Sequence, residues 1–313
     1  MKFVDLKKHI KSGEAGGIYL LVGEDGRVVE KARDLLLSLV DGMPELNVTF
    51  FEDGADVHEI EACCRSYPLY SQKRAVVVRD FKGSLEPMKK YLASPEPFTV
   101  LIFTSEKLTP NFSGCIRNMT VVECGKLSRD VLVPYIAKRA AAGGATVTRP
   151  AAELLIEYTL SSLAAIENET DKLCLITDAI TEADVKNNVS ASSEYKIFEL
   201  SDAISKKEGE RALRILRTLL SDGFSPGAVL GMLENHYRRL MYAVLNRGDE
   251  SLALKLGVKD GAVYMAQKAA GGEKAVSLKR RYDLIAEAER SFKSGLISDV
   301  SAVYSAVLEA IET

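Results

Sequence analysis

The stretch IYLLVGEDGRVVEK, residues 18–31, joins a β-rich run to a glycine and then to a segment with helical spacing. A strand that ends in glycine and feeds a helix is the outline of a phosphate-binding loop, because the unpaired amides of a helix N-terminus form an anion site. The motif that makes such a loop work is G-x-x-x-x-G-K-[ST]. Counted from Gly23, the second glycine falls on Val28, the lysine on Val29 and the Mg²⁺-binding hydroxyl on Glu30, so all three positions fail. Val28 puts a β-branched side chain where backbone amides must close on phosphate, and Glu24, Asp25 and Glu30 add negative charge beside a site meant for a polyanion. Arg27 and Lys31 bring positive charge nearby, but neither stands where it would reach the β- and γ-phosphates. No nucleotide or other cofactor is therefore expected at Gly23, Val28, Val29 and Glu30.

Outward from this stretch, further β-rich runs occur at 48–51, 75–78, 98–103 and 120–123, with helix-period segments between them. Such alternation predicts an α/β domain with a parallel sheet covered by helices, P-loop-like in outline, over residues 1–126. Asp56 is placed to cap a helix carrying Ile60 and Cys64, and Ser84 one carrying Leu85, Met88 and Leu92. The run AVVVRD ends in Asp80, where a Walker-B acid could lie, but no second acid follows to polarise water, and a solvated strand end is the plainer reading.

After Gly125 the extended runs stop, apart from Thr146 to Thr148. Ser128 is expected to cap one helix, ended by Gly143 and Gly144. Pro150 opens the next, Ser161 and Ser162 separate it from another running to Ile176, and Thr181 with Asp184 reads as a capping box. A small helical domain over 127–192 follows. The polar run SASSE, 190–194, reads as a linker into an all-helical domain over 193–313. There, Ser225 and Pro226 start a helix that lines up Val229, Leu230, Leu233, Tyr237, Leu240, Met241 and Val244 on one face, by default a core stripe.

Composition narrows the function. The 41 Lys and Arg against 44 Asp and Glu leave a formal charge of −3, which gives no global attraction to nucleic acid or anionic lipid. No stretch approaches the about 18 apolar residues of a membrane span, and the start lacks the apolar run of a signal peptide, so a cytoplasmic setting is expected. The five cysteines include the adjacent pair Cys63 and Cys64, and the three histidines, His9, His58 and His236, are far apart, so no metal site is expected. Motifs for serine hydrolases, zincins and dinucleotide binding are absent, and nothing nominates a nucleophile.

Several segments taken in order, IYLLVGED (18–25), SYPLYSQKRAVVVRDF (66–81), LAAIENETDKLCLI (163–176), KIFELSDAI (196–204), ERALRILRTLLSDGFSP (210–226), ENHYRRLM (234–241) and SFKSGL (291–296), resemble the delta subunit family of the bacterial DNA polymerase III clamp loader. The resemblance implies an AAA+-like α/β domain without a working nucleotide site, a small helical domain, and a helical collar that joins a ring of clamp-loader subunits. It implies a role in DNA replication: binding the sliding clamp, the beta subunit, and opening it for loading onto primed DNA while neighbouring subunits hydrolyse ATP. The family's clamp contact, a hydrophobic pair between a helix end and a strand, carries over to Leu69 and Tyr70, with Tyr70 standing where some members have Phe. Read from the residues alone, the same pair could simply cover the sheet edge. Arg238 and Arg239 are not assigned to DNA. The rival reading is an active P-loop NTPase that uses Arg27 or Lys31 for phosphate. A stator-type clamp-loader subunit is a further alternative, but its zinc-ligating cysteines and Ser-Arg-Cys finger have no counterpart, since Cys64-Arg65-Ser66 runs in reverse order.

Overall fold

The computed structural model describes residues 1–13, 15–246 and 274–313. These divide into two compact units: Met1–Val147 with Ser161–Ala179, and Thr148–Leu160 with Ile180–Thr313. Part of the predicted collar, residues 247–273, lies outside the described residues.

The first unit is built on five strands, β1 (Gly17–Val22), β2 (Val48–Phe51), β3 (Arg74–Val78), β4 (Thr99–Ser105) and β5 (Thr120–Glu123). They form one parallel sheet in the order β2-β3-β4-β1-β5. Each begins and ends within two residues of the expected run, because continuous β-branched and aliphatic segments suit a sheet buried on both faces. Alternate positions along the strands, such as Leu20, Val76, Val78, Leu101 and Phe103, pack with Ile60 and Cys64 of α4 (Val57–Arg65), and with Met88 and Leu92 beyond it. The helices α1 (Phe3–Lys11) and α2 (Gly26–Leu37) cover the sheet near β1, β4 and β5 and bury Leu6, Val28, Ala32 and Leu36. From β1 the chain proceeds towards the β2 edge, whereas from β4 it crosses to β5 on the opposite side. The C-terminal ends of β1 and β4 thus flank a topological switch point, the place where open α/β sheets bind ligands.

Between β1 and β5 lie the one-turn helix α3 (Pro44–Asn47), the short α5 (Lys89–Ala93) and the short α6 (Pro110–Ser113). Asp56 caps α4 as expected, accepting from His58 N at 2.9 Å. The helix expected behind Ser84 is split into a 3₁₀ turn, Glu86–Met88, and α5, because Pro87 suits the first turn but not a helix interior. The unit continues through α7 (Arg129–Ala142), the strand β6 (Thr146–Val147) and α9 (Leu163–Cys174), which packs on α7 and α2. Ser128 occupies the N-cap position of α7, but its side chain makes no capping bond, and α9 ends at Cys174, two residues short of Ile176. The chain passes from α7 to α9 through α8 (Arg149–Tyr158) of the second unit.

In the second unit α8 packs with α10 (Glu182–Asn188), whose Thr181–Asp184 capping box forms as read from the sequence. Between α9 and α10 the short strand β7 (Ala179–Ile180) was not foreseen. Among the described residues, five longer helices follow: α11 (Ser193–Ser205), α12 (Gly209–Ser221), α13 (Pro226–Leu245), α14 (Ala275–Lys293) and α15 (Asp299–Glu312). The stripe on α13 is core: Val229, Leu230, Leu233, Tyr237 and Leu240 pack with Leu200, Leu216, Leu278, Ile285, Val303 and Val307, while Met241 and Val244 are only partly buried. Ser225 caps α13 by accepting from Ala228 N at 3.2 Å. The buried Arg281 of α14 donates to Ser205 Oγ at 3.1 Å and to Ala310 O at 3.3 Å, tying three helices at one point.

His236 lies in the same core, its ring 4.8 Å from Phe198, with no hydrogen-bond partner for Nε2. Burial, helped by the charge of Arg239, pushes its pKa from 6.5 down to about 3. The folded chain therefore favours the neutral ring, and the stability this supplies is complete above pH 6.5 and is lost as pH falls towards 3. Denaturant unfolding between pH 6.5 and 4.5, above the range where most carboxylates titrate, should show falling stability in the wild type and a flatter profile in His236→Leu. Equal slopes would contradict the buried, neutral assignment.

Candidate functional site

Two places in the first unit carry the readings made from the sequence, and they lie at opposite ends of the parallel strands. The segment after β1 is at the C-terminal end, where a phosphate would bind. The turn before β3 is at the N-terminal end.

At the C-terminal end, Gly23 donates its N–H to Ser105 O at 3.1 Å. A Cβ on Gly23 would fall 2.1 Å from Cys124 O, so the glycine is required by close backbone approach to the segment after β5, independently of any phosphate. Two residues on, Asp25 is the N-cap of α2 and is buried. One carboxylate oxygen accepts from Arg27 N and Val28 N at 3.1 and 3.3 Å, and the other accepts from Leu163 N at 3.1 Å. Leu163 is the first residue of α9, so a single carboxylate occupies the amides of two helix N-termini. The anion that this corner is shaped to receive is supplied by the chain itself.

Glu167 completes the arrangement from α9. Its side chain is only 4% exposed, and it is bonded by Arg27 Nε at 2.6 Å, Lys31 Nζ at 2.8 Å, Arg139 Nη1 at 3.2 Å and the Tyr135 hydroxyl. Burial by itself would raise the Glu167 pKa, but the bonds from Lys31, Tyr135 and Arg27 outweigh it and hold the carboxyl at about 2. Arg27 also pairs with Glu30 at 2.8 Å, and Arg139 with Asp171 at 2.6 Å. The two cations that a rival NTPase reading would use, Arg27 and Lys31, are thus already engaged by buried or neighbouring carboxylates. Val28 is fully buried among core residues, and Glu30 is exposed. Asp80, at the Walker-B place, is an exposed strand end whose N–H donates to Thr104 Oγ1 at 3.1 Å. Among the described residues no group of three or more His, Cys, Asp or Glu is arranged to hold a metal ion, and no helix is long and apolar enough to cross a membrane.

At the N-terminal end, α4 stops at Arg65 and the chain turns through Pro68 into Leu69 and Tyr70 before β3 begins. Leu69 is 53% and Tyr70 84% exposed, so neither covers the sheet edge. Tyr70 has φ 54°, a left-handed conformation that is costly for an aromatic residue. On one side of it, the carboxamide of the buried Asn47 accepts from Leu69 N at 2.7 Å and donates to Leu69 O at 2.7 Å. On the other side, the Asp41 carboxylate takes Gln72 N at 2.9 Å and the Ser71 hydroxyl at 2.6 Å. These bonds hold the Asp41 pKa below its ordinary value. Tyr67 stacks on Phe98, ring centroids 4.8 Å apart. Lys73 Nζ donates to Ala15 O at 2.9 Å, anchoring the turn to the segment before β1.

Sequence reasoning missed Asn47, Asp41 and Glu167. The Asp41-Gly42 pair was a visible turn signal, but nothing local shows that its partner lies near residue 70. The Arg27–Glu167 bond spans 140 residues.

Two family models match the chain: "DNA polymerase III, delta subunit" over residues 19–123 and "DNA polymerase III delta subunit, C-terminal domain" over residues 194–310. The chain is similar to DNA polymerase III subunit delta of Bacillus subtilis, 23% identical over 289 residues, covering 84% of this chain and 83% of the relative. It is also similar to a probable DNA polymerase III subunit delta of Aquifex aeolicus, 26% identical over 269 residues and covering 76% of each. In fold it resembles the solved structure of a Bacillus subtilis DNA clamp loader delta protein, with a TM-score of 0.72 at 21% identity over 99% of this chain and 100% of that one.

Removing Glu167 leaves Arg27, Lys31 and Arg139 without their shared counter-charge in a closed corner. Glu167→Ala should therefore cost about 3 kcal/mol in urea unfolding at pH 7, the scale for breaking a buried ion pair. Because the folded pKa is depressed, this contribution is present above pH 4.5 and disappears as pH falls towards 2, where wild type and variant should converge. Equal midpoints at pH 7 would show that the carboxylate is not what holds the corner.

Proposed function

This chain belongs to the delta subunit family of DNA polymerase III, a clamp-loader subunit without catalysis of its own, and we propose that it binds the sliding clamp through Leu69 and Tyr70. Binding there holds one interface of the ring open for loading onto primed DNA. The observation that carries the reading is the exposure of two apolar side chains on a turn that is hydrogen-bonded on both sides. An aliphatic and an aromatic anchor fixed in this way suit a hydrophobic groove, where burial from water supplies affinity and a rigid turn loses little entropy. The Tyr70 hydroxyl, at the tip of an exposed ring, can keep water or find a partner at the groove's rim.

Residues 1–126 act as an ATPase-like handle of AAA+ type, 127–192 as a small helical domain, and 193–313 as the collar through which other clamp-loader subunits attach. Exposed apolar residues on the helical bundle, Val276, Leu296, Val300 and Leu308, support contact with neighbours, since none of them belongs to its core stripe. The Asp25 and Glu167 carboxylates leave ATP binding and hydrolysis to other subunits.

Titrating a fluescently labelled sliding clamp with wild type, Leu69→Ala and Tyr70→Ala should show each truncation costing about 2 to 4 kcal/mol of binding energy. Equal affinities would remove the assigned contact. In calorimetry with Mg·ATP the isolated chain should give no saturable heat, and micromolar binding would favour the NTPase reading instead.

A further inference from the structure

The turn that displays Leu69 and Tyr70 is strained where it need not be. A connection from a helix to a strand that requires φ near 54° is ordinarily built with Gly or Asn at that position, which adopt it cheaply. Here a bulky aromatic residue takes it, with its ring almost fully in solvent and no packing in return. Such a conformation persists only where the surroundings over-determine it.

The over-determination comes from a second loop, Asp41 to Asn47. Asn47 ends α3 and is fully buried, and its carboxamide has every hydrogen-bonding group in use. Oδ1 accepts from Leu69 N at 2.7 Å, while the two N–H groups of Nδ2 are shared among Leu69 O at 2.7 Å, Gly42 O at 2.8 Å and Met43 O at 3.1 Å. The side chain thus pairs with both peptide groups of Leu69 as a one-residue strand would. Gly42 backs the next peptide: a Cβ there would lie 2.3 Å from Tyr70 O, so only glycine allows the two loops to approach this closely. Asp41 then holds Ser71 and Gln72.

We propose that Asn47 is the positioning residue of the clamp contact, its carboxamide holding the Leu69–Tyr70 turn in its displayed conformation before the clamp arrives. The inference rests on the reading of Leu69 and Tyr70 as that contact. Asn47 does not touch the partner; without it the turn relaxes, Tyr70 leaves the left-handed conformation, and the ordering is deferred to the moment of binding.

The full-length chain tests this in two measurements. Amide hydrogen exchange should find Leu69 N–H protected in wild type and fast in Asn47→Ala, with β3 amides unchanged, which separates loss of the bracket from loss of the fold. Clamp titrations should then show Asn47→Ala weakened by about tenfold, the factor expected for losing a modest preorganisation term. Asn47→Asp, nearly identical in shape but unable to donate to the three carbonyls, should be weakened as much, and Gly42→Ala should weaken binding by acting on the Tyr70 peptide instead. In the background of Leu69→Ala with Tyr70→Ala, Asn47→Ala should have no further effect. Wild-type affinity in Asn47→Ala with a fast Leu69 amide, or an undiminished tenfold loss in the doubly truncated background, would overturn the positioning role. If the doubly truncated variant itself binds like wild type, the contact is misassigned and the positioning role falls with it. If that variant loses binding while Asn47→Ala does not, only the role of Asn47 fails.

Discussion

Two carboxylates fill the corner that a phosphate would otherwise occupy, and the architecture of the first unit depends on them. Asp25 satisfies amides at the N-termini of both α2 and α9, and Glu167 gathers Arg27, Lys31, Arg139 and the Tyr135 hydroxyl around a nearly buried oxygen pair. Burying a charge is expensive unless it is paired and fully hydrogen-bonded, and this one is both. In a working nucleotide site, a bound polyanion would bridge the strand-end loop and the surrounding cations. Here the bridge is covalently part of the chain, so the helices α2, α7 and α9 are held together whether or not nucleotide is present.

Filling the corner changes what the sheet is for. A parallel sheet has two chemically different ends, and its C-terminal end is normally the functional one. In this chain that end is closed by internal ion pairs. At the N-terminal end, the turns before β2 and β3 interlock through Asn47, Gly42 and Asp41 and leave Leu69 and Tyr70 exposed. In the function proposed for this chain, the sheet and its helices serve as a stiff mount for a small apolar tip, and levering a ring apart requires stiffness at that tip.

Much of this was legible in the sequence for reasons that are local. Continuous apolar β-branched runs announced all five strands of the main sheet, and capping residues such as Asp56, Thr181 and Ser225 set helix starts because the relevant bond spans two or three residues. The failure of the phosphate motif at Val28, Val29 and Glu30 was likewise a matter of counting. Two-residue strands such as Ala179–Ile180 carry too little pattern to announce themselves. Gly23 kept its place in the motif for a reason the motif does not contain, the closeness of Cys124 O. Asn47 and Glu167 were silent because their partners lie 22 and 140 residues away, and a lone Asn or Glu in a charged chain looks like any solvated residue.

In the proposed function, ring engagement by the tip is independent of nucleotide chemistry, because the chain's own carboxylates fill the anion corner. A sliding clamp carrying a fluorophore pair across one ring interface, mixed with the isolated chain in the absence of any nucleotide, reports on this independence. The interface signal should report opening without ATP, adding Mg·ATP should change nothing, and truncating Leu69 and Tyr70 to Ala should abolish the signal. Opening that appears only when ATP is added to the isolated chain would contradict this independence.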